Sequence, residues 1–284
     1  MRADLHLHTT ASDGTESAET LIEKAHEKGI DVIAITDHDT VGALKGAREA
    51  LPEGMTLIDA AEFSCVFTDS REKVIQCHIL GYGIDYSHPA ITDIIREGYE
   101  RRIAKLMARI EYIEAEFGVK LKEEDIEYLR SMNSSAKPHL ARVMMKYGCG
   151  DSVPDVIKNY LSKAKTPDSR IDAEKVIKAI HSAGGYAIYA HPLGGEMERH
   201  LDKEEFTIRA EYSVSLGIDG FEAYYSRYSE SEERMICEFS EQRGLLISGG
   251  SDYHGENKTV ALGSLREDMQ LIDAEKITLL SKIL

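Results

Sequence analysis

The sequence predicts an α/β fold in which strands and helices alternate around a largely parallel sheet. Short apolar runs that are rich in β-branched residues alternate with amphipathic stretches, which is the pattern of repeating β-α units. The chain has 284 residues, of which 42% are hydrophobic, so it can bury the core of one barrel-sized domain or of two smaller ones. Glycines follow four of the helical patterns, where a left-handed cap is expected, and these are Gly29, Gly184, Gly217 and Gly244.

Seven segments have the length and composition of strands. They are residues 3 to 7, 32 to 36, 56 to 62, 74 to 82, 186 to 190, 220 to 225 and 245 to 248. The helical patterns between them cover residues 17 to 28, 41 to 51, 173 to 183, 204 to 216 and 229 to 243.

The alternation stops between residues 85 and 165, where the helical patterns cover residues 91 to 117, 123 to 129 and 137 to 147. We therefore predict a barrel made of residues 1 to 84 and 166 to 284, interrupted by a helical subdomain of residues 85 to 165. Insertions at the carboxyl ends of strands often build substrate pockets, so this subdomain is predicted to be a substrate cap. The alternative is a solvated helical appendage that does not touch substrate.

The charge of the chain argues against long duplex nucleic acid as a partner. Lys and Arg number 34 against 50 Asp and Glu, and the formal net charge of -16 would repel a polyanion. A small anionic substrate in a locally cationic pocket remains compatible with this balance. Carboxylates that bind metal ions would also make the charge that a partner experiences less negative.

The cysteines and the amino terminus bear on the cellular compartment. Cys65, Cys77, Cys149 and Cys237 form no Cys-x-x-Cys pair, so neither a disulfide framework nor a thiolate zinc site is predicted. No apolar signal core precedes the first strand, and no apolar run is long enough to span a membrane. We predict a cytoplasmic enzyme without a membrane partner.

Metal-binding side chains recur where the predicted strands end. In the alternating segment Asp4-Leu5-His6-Leu7-His8, the two imidazoles point to the same side of a strand. The turn after this strand would hold Asp13 just above the same strand end. Later strands repeat the placement with His38, Glu62, His78, His191, Asp252 and His254.

These nine side chains gain significance from their common location. A buried histidine with satisfied ring nitrogens, or an aspartate that caps a helix, would explain any one of them alone. However, the carboxyl ends of barrel strands share one face, which is where active sites assemble. Imidazole and carboxylate ligands suit zinc, manganese or iron, and nine candidates exceed the capacity of a single ion. Several divalent metals are therefore predicted.

The order of these motifs resembles that of the PHP family, the polymerase and histidinol phosphatase domain. The matching segments are Asp4-Leu5-His6-Leu7-His8, Thr36-Asp37-His38, Ala190-His191-Pro192 and Ser251-Asp252-Tyr253-His254, together with Glu62 and His78. The resemblance runs nearly from end to end of the chain. It implies a distorted (β/α)7 barrel with two or three divalent metals, manganese, iron or zinc, on its carboxyl face.

The resemblance also implies how the nine catalytic side chains divide among the metals. One metal would take His6, His8, Glu62 and Asp252. A second would share Glu62 and take His78 and His191, and a third would take Asp13, His38 and His254. Asp13 stands where some members of the family have a histidine. Asp37 would orient a ligand imidazole through a hydrogen bond.

The helical insertion and the returning segment Ala179-Ile180-His181-Ser182-Ala183-Gly184-Gly185 resemble the nucleotide-directed branch of the family. Lys137-Pro138-His139-Leu140-Ala141-Arg142 resembles the basic motif of that branch, with Lys137 in place of the usual arginine, which loses bidentate geometry. The predicted substrate contacts are Ser135, Lys137, His139, His200 and Arg227. His200 is also a candidate general acid, although a lone loop histidine is more often solvated.

Members of this branch remove the 3'-phosphate of nucleoside 3',5'-bisphosphates, and some trim short RNA from its 5' end. We therefore predict a metal-dependent phosphoesterase that hydrolyses a phosphate monoester of a small nucleotide, foremost the 3'-phosphate of such a bisphosphate, or an AMP-like nucleotide. Hydroxide that bridges two metals would attack phosphorus, so no protein nucleophile is required.

Three alternatives remain open. A histidinol-phosphate phosphatase should have an acidic pocket for its cationic amine. A 5'-to-3' exonuclease on short oligonucleotides is disfavoured by the net charge of -16. A catalytically silent PHP module that acts as a scaffold should have lost several ligands, and none of the nine is missing.

Overall fold

The computed structural model of the protein describes residues 1–132, 137–196, 198–269 and 272–284. By internal contacts the chain divides into two compact units, Met1–Ile94 with Ile171–Leu284, and Ile95–Arg170. The second unit begins ten residues after, and ends five residues after, the insertion of residues 85 to 165 that the sequence suggested.

The first unit contains eight strands. They are β1 (Ala3–Leu7), β2 (Val32–Ile35), β3 (Thr56–Thr68), β4 (Val74–Tyr82), β5 (Ile171–Asp172), β6 (Tyr186–Tyr189), β7 (Gly220–Tyr225) and β8 (Leu246–Gly250). Seven of them follow one another in the order β1-β2-β3-β4-β6-β7-β8, and the short β5 pairs with β3 beside this path. The seven strands correspond to the seven that the sequence predicted.

The two ends of this sheet meet, so that it forms a nearly closed barrel. Leu7 and Tyr253 form a parallel bridge, and the amide of His8 donates to the Tyr253 carbonyl at 3.0 Å. At Gly250 a Cβ atom would lie 2.2 Å from the Cβ of His6, so only glycine allows β8 to approach β1 so closely. The predicted distorted (β/α)7 barrel is confirmed.

The sheet is largely parallel, as predicted, and β4 is the exception. This strand runs antiparallel to both β3 and β6, whereas the pairs β1-β2, β2-β3, β6-β7 and β7-β8 are parallel. The connection between Thr68 and Val74 is too short for the crossover that parallel strands require. The sequence suggested that Glu62 and His78 lie at strand ends. However, β3 continues well past Glu62, and both residues lie in the middle of their strands.

Helices surround the barrel of the first unit. They are α1 (Ala18–Glu27), α2 (Leu44–Ala50), the start of α3 (Pro89–Phe117), α7 (Ala173–Ser182), α8 (Lys203–Ser215), α9 (Glu230–Glu241) and α10 (Leu280–Ile283). Short 3-10 turns occur at Gly255–Asn257 and Ala274–Lys276. The four glycines predicted to cap helices all have positive φ angles. Buried side chains such as Leu21, Ile22 and Ile33 pack α1 and α2 against the first strands.

The second unit is helical, as the sequence predicted for this region. It contains the remainder of α3, α4 (Glu123–Ser131), α5 (Lys137–Met145), α6 (Val153–Val156) and a π-helical turn at Ile157–Leu161. It has its own apolar core, which includes Leu106, Ile113, Leu140 and Leu161. Of the helices that the structure describes in either unit, none combines the length and the apolar character that a membrane crossing requires.

Candidate metal centre

All nine predicted metal ligands lie in the first unit, and their side chains converge. Three groups have ligand atoms within 4.8 Å of one another: His8, Asp13, His38 and His254; His6, His8 and Asp252; and His38, Glu62 and His78. The ninth residue, His191, joins through its Nε2 atom, which lies 3.2 Å from Glu62 Oε1. These groups overlap more than the predicted division does. His8 joins the Asp13 group, and His38 joins Glu62 and His78, whereas Glu62 is not grouped with His6, His8 and Asp252.

The first strand contributes a matched pair of imidazoles. His6 and His8 are both buried, and the Nε2 atom of each lies 3.2 Å from Glu62 Oε2. The same two nitrogens lie 3.5 and 3.4 Å from Asp252 Oδ1. Two imidazoles and two carboxylates therefore face one small volume.

Glu62 is the centre of the cluster. Its carboxylate is buried in the middle of β3 and lies near imidazoles on both of its oxygen atoms. Oε2 faces His6, His8 and His38, and Oε1 faces His78 and His191, at distances of 3.0 to 3.2 Å. A carboxylate in this position can bridge two metal ions.

The loop after β1 carries Asp13 to the other side of His8. Asp13 Oδ1 lies 3.2 Å from His254 Nε2, and its Oδ2 lies 3.8 Å from His38 Nε2. The loop is held by Asp37, which accepts hydrogen bonds from the amide and hydroxyl of Thr9 and from the hydroxyl of Ser12 at 2.6 to 2.8 Å. Asp37 therefore positions the Asp13 loop, whereas we predicted that it would orient an imidazole.

Glu222 performs the orienting role that we assigned to Asp37. Its Oε1 lies 2.8 Å from His6 Nδ1, and its Oε2 accepts the amide of His191 at 2.7 Å. Sequence reasoning missed this residue, although a glutamate inside the wholly buried strand β7 is a signal that could have been used. A carboxylate behind a ligand imidazole fixes its ring orientation and raises its basicity.

Asp252 is held by two further side chains that the sequence did not single out. Its Oδ2 accepts hydrogen bonds from the Tyr225 hydroxyl at 3.0 Å and from Lys258 Nζ at 2.6 Å, which leaves Oδ1 to face the imidazoles. Asp4 supports the same segment, because its two oxygens accept the amides of Ser251 and Gly263 at 2.8 Å.

Backbone strain also marks this region. His191 and Asp252 have φ angles of 30° and 57°, and Asp39, beside His38, has a φ of 51°. Non-glycine residues in this region cost about 1 to 3 kcal/mol each and concentrate at functional sites. The strain therefore coincides with the side chains that the sequence predicted to be functional.

The electrostatic coupling of the cluster shifts the pKa values of its members. Burial alone would raise the pKa of Glu62, but the imidazoles of His38, His6 and His78 hold it well below its usual value. Burial opposes protonation of His8, yet the adjacent carboxylates of Asp252 and Glu62 raise its pKa to about 9. Burial lowers the pKa of His38 to about 3, despite the nearby carboxylates. Protons are thus unevenly distributed over the imidazoles.

The buried ligand atoms are arranged to bind metal ions and not to form hydrogen bonds with one another. Six of them have no hydrogen-bond partner: His6 Nε2, both ring nitrogens of His8, His38 Nδ1, His78 Nδ1 and Glu62 Oε2. Leaving such an atom unsatisfied costs about 1 to 3 kcal/mol. Two ligands that each lie ~2.1 Å from one ion are about 3.0 to 3.4 Å apart in octahedral or tetrahedral geometry, which matches the separations around Glu62.

A cavity of about 290 Å³ opens onto part of this cluster. We call it the metal pocket, and its lining residues are His38, Glu62, His78, His191, Gly195, Glu196, Glu198, Asp252, Asn257 and Lys258. Its wall is acidic, although Glu196 forms an ion pair with Arg227.

The predicted substrate contacts have different positions. Arg227 does not line the metal pocket. It forms an ion pair with Glu196, which does line the pocket, and it donates to the Thr259 hydroxyl at 2.9 Å. His200 lies 2.6 Å from Glu232 at the start of α9, and it does not line the metal pocket. Lys137 and His139 begin α5 in the second unit. Ser135 lies outside the described residues.

A barrel that gathers imidazoles and carboxylates at metal-ligand spacing, around a pocket, has the architecture of a metal-dependent hydrolase. The sequence matches the PHP domain over residues 4–190. The chain therefore belongs to the PHP domain family, as its motifs predicted. It is a metal-dependent phosphoesterase, a hydrolase of phosphoric ester bonds.

Relatives of known name cover most of the chain. The 5'-3' exoribonuclease Rnm of Salmonella typhimurium is 32% identical, over 92% of this chain and 87% of its own length. The phosphoribosyl 1,2-cyclic phosphate 1,2-diphosphodiesterase of Eggerthella lenta is 28% identical, over 90% and 95%. The 3',5'-nucleoside bisphosphate phosphatase of Chromobacterium violaceum is 26% identical, over 88% and 86%.

A solved structure has the same fold. It is a protein of Bifidobacterium adolescentis that is provisionally named a metal-dependent phosphoesterase. It aligns with a TM-score of 0.74 and 26% identity, over 97% of this chain and 94% of the other. The likeness extends over the barrel and the inserted region together.

Proposed function

We propose that the protein hydrolyses phosphate esters of small nucleotides and that its preferred reaction removes the 3'-phosphate of a nucleoside 3',5'-bisphosphate. The observation that carries this proposal is one pocket of about 290 Å³ whose lining includes His38, Glu62 and His78, each of which has a buried ligand atom without a hydrogen-bond partner. Small-molecule sites usually measure roughly 300 to 1,000 Å³, so this cavity suits one phosphorylated group better than a long chain.

The residues present would hold two or three divalent ions. His6, His8, Glu62 and Asp252 would hold one, Glu62 with His78 and His191 a second, and Asp13, His38 and His254 a third. Nitrogen and oxygen ligands without a thiolate suit manganese, iron or zinc. Such ions polarise phosphoryl oxygens and lower the pKa of water, which supplies the nucleophile for hydrolysis.

The side chains around the ligands have separate tasks. Glu222 holds His6 and the His191 backbone, and Tyr225 holds one oxygen of Asp252. Lys258 lines the metal pocket, so its ammonium group would offset negative charge on the phosphate as the ester bond breaks. Arg227 neutralises Glu196 and thereby reduces the repulsion that the acidic wall would exert on a phosphate.

A second candidate is the stepwise removal of nucleotides from the 5' end of short RNA. It is favoured by the exoribonuclease of Salmonella typhimurium, which is 32% identical to this chain. The same metal centre could hydrolyse either ester. Lys137 and His139 stay predicted substrate contacts for both candidates, on the basis of their motif alone.

The test is to measure phosphate or nucleotide release with manganese from four compounds: adenosine 3',5'-bisphosphate, AMP, histidinol phosphate and a short 5'-phosphorylated RNA. We expect the fastest turnover with the bisphosphate and none after chelation. A Glu62→Gln variant should be inactive, whereas Glu49→Gln, an exposed glutamate on α2, should match the wild type.

Each other outcome has a definite meaning. Preference for the RNA would support the second candidate. If histidinol phosphate were the only compound hydrolysed, the substrate would be a phosphorylated amine and not a nucleotide. Glu196 and Glu198 would then face its positive charge. No release from any of the four compounds would contradict the proposed function.

A further inference from the structure

A second cavity lies beside the metal pocket in the first unit. Its volume is also about 290 Å³. We call it the basic cleft, and its lining residues are Lys73, Val74, Ile75, Gln76, Leu193, Gly194, Glu198, Arg199, Leu201 and Arg209. None of these residues was singled out by the sequence motifs, and the metal centre uses none of them.

The cleft collects cations in a chain whose net charge is -16. Among the described residues, neither Lys73 nor Arg209 forms an ion pair, and the Nε atom of Arg209 is buried without a hydrogen-bond partner. Arg199 is different, because both oxygens of Glu205 accept from its guanidinium at 2.8 Å. Two cations that form no ion pair among the described residues therefore face one small cavity, whose lining also includes the carboxylate of Glu198.

The lining of the cleft also includes three buried apolar side chains. Ile75, Leu193 and Leu201 are buried there. Burial raises the pKa of the adjacent Tyr189 well above its usual value, and the charges of Arg209 and Glu198 act on the same hydroxyl. Arg209 is thus held near Tyr189, and its guanidinium offers donors in a planar fork that suits an oxyanion.

Only a short wall separates the cleft from the metal pocket. Glu198 lines both cavities, and its Oε2 accepts the amide of Gly195 at 3.1 Å. Gly194 lines the cleft and the next residue, Gly195, lines the metal pocket. One small molecule could therefore reach both cavities across Glu198, whose carboxylate can accept hydrogen bonds from sugar hydroxyl groups.

We propose that the basic cleft is a second phosphate subsite, in which Arg209 and Lys73 bind the non-reacting phosphate of a substrate whose other phosphate lies in the metal pocket. The inference rests on the proposed function and adds the residues that would bind the second phosphate of such a substrate. A nucleoside bisphosphate and a 5'-phosphorylated dinucleotide share this chemistry. A compound with one phosphate leaves the cleft empty.

The experiment compares KM and kcat for adenosine 3',5'-bisphosphate, adenosine 3'-monophosphate and a 5'-phosphorylated diadenylate. The variants are Arg209→Ala, Arg209→Lys and Lys73→Ala, and the control is Arg234→Ala, an exposed arginine on α9 that pairs with Glu230. We expect Arg209→Ala to raise KM for the bisphosphate roughly tenfold or more, because one charged hydrogen bond is lost, while KM for the monophosphate is unchanged. Arg209→Lys should lie between the wild type and Arg209→Ala.

The exposed Lys73 provides an independent variant, since its truncation leaves the fold intact. Lys73→Ala should raise KM for the bisphosphate and leave KM for the monophosphate unchanged. The measurements with the diadenylate show whether the second phosphate can be a diester. Equal changes in KM for the bisphosphate and the monophosphate, or no change for either, would overturn the subsite but leave the phosphatase intact. If the wild type hydrolyses none of the three compounds, the proposed function fails and the subsite fails with it.

Discussion

At the scale of single residues, the arrangement around each ligand decides how well it can hold a metal. Glu222 fixes His6 from behind, and Lys258 and Tyr225 fix one oxygen of Asp252 so that the other faces the imidazoles. These contacts use atoms that the ligands do not need for the metal. The supporting side chains are therefore as testable as the ligands.

Replacing Glu222 by glutamine should weaken metal binding. The amide keeps the shape of the carboxylate but loses the negative charge beside His6 Nδ1, and such supporting contacts are usually worth roughly 10- to 100-fold in affinity. Titration of the chelated protein with manganese measures the effect. Glu238→Gln, on the surface of α9, is the control, and an affinity of Glu222→Gln equal to that of the control would contradict the role given to Glu222.

Replacing Lys258 by alanine should impair turnover more than metal binding. Its ammonium group lines the metal pocket, and its loss should raise KM for the nucleotide or lower kcat by roughly tenfold. Lys258→Arg should restore part of the activity, and Lys45→Ala on α2 should have no effect. Unchanged kinetics in Lys258→Ala, with full metal content, would remove Lys258 from the reaction.

Most of the nine converging side chains could be predicted from residue types and spacing, because alternation on β1 and placement after apolar strands can be read directly. Glu62 and His78 were also among the predicted ligands, although they lie in the middle of β3 and β4. The supporting residues could not be predicted in the same way. Lys258 donates to Asp252 because of the conformation of the loop that carries it. Loop conformation likewise determines that Asp37 accepts from Thr9 and Ser12. Glu222 was the exception, since a charged residue among the otherwise uncharged residues of the predicted strand 220 to 225 is visible in the sequence.

At the scale of elements, the strand pairing brings the ligands together. The antiparallel hairpin of β3 and β4 places His78 opposite Ser64, so His78 and Glu62 meet inside the sheet. The number and bounds of the strands were close to prediction, whereas the sequence analysis did not predict that β4 runs antiparallel to its neighbours. The short segment between β3 and β4 contained the information, because it leaves no room for a crossover helix.

The close approach of β8 to β1 gives a stability prediction. In Gly250→Ala the new Cβ atom would lie 2.2 Å from His6 Cβ, so the strands must separate, and overpacking of this kind costs about 1 to 3 kcal/mol. Denaturant unfolding should show a lower midpoint. Gly46→Ala in α2 is the control, since alanine favours a helix and the nearest atom is the flexible Glu19 carboxylate. Equal midpoints for Gly250→Ala and the wild type would contradict the close packing.

At the scale of the whole molecule, metal binding and protonation compete for the same atoms. In the absence of metal the pKa of His8 is about 9, so this imidazole holds a proton at neutral pH that a metal ion must displace. Binding should therefore release protons, and affinity should rise as the pH increases from 6.5 towards 9. Calorimetric titration with manganese in two buffers of different ionisation enthalpy counts the protons. Affinity that stays constant over this range would contradict the competition.

The most direct test of the metal-dependent phosphoesterase is to measure metal content and phosphate release in the same samples. Protein stripped by a chelator would be reloaded with increasing manganese and assayed with adenosine 3',5'-bisphosphate. We predict that activity is absent without metal, rises as two or three ions bind, and does not return in Glu62→Gln. Full activity in completely metal-free protein, or wild-type activity in Glu62→Gln, would contradict a reaction at the centre around Glu62.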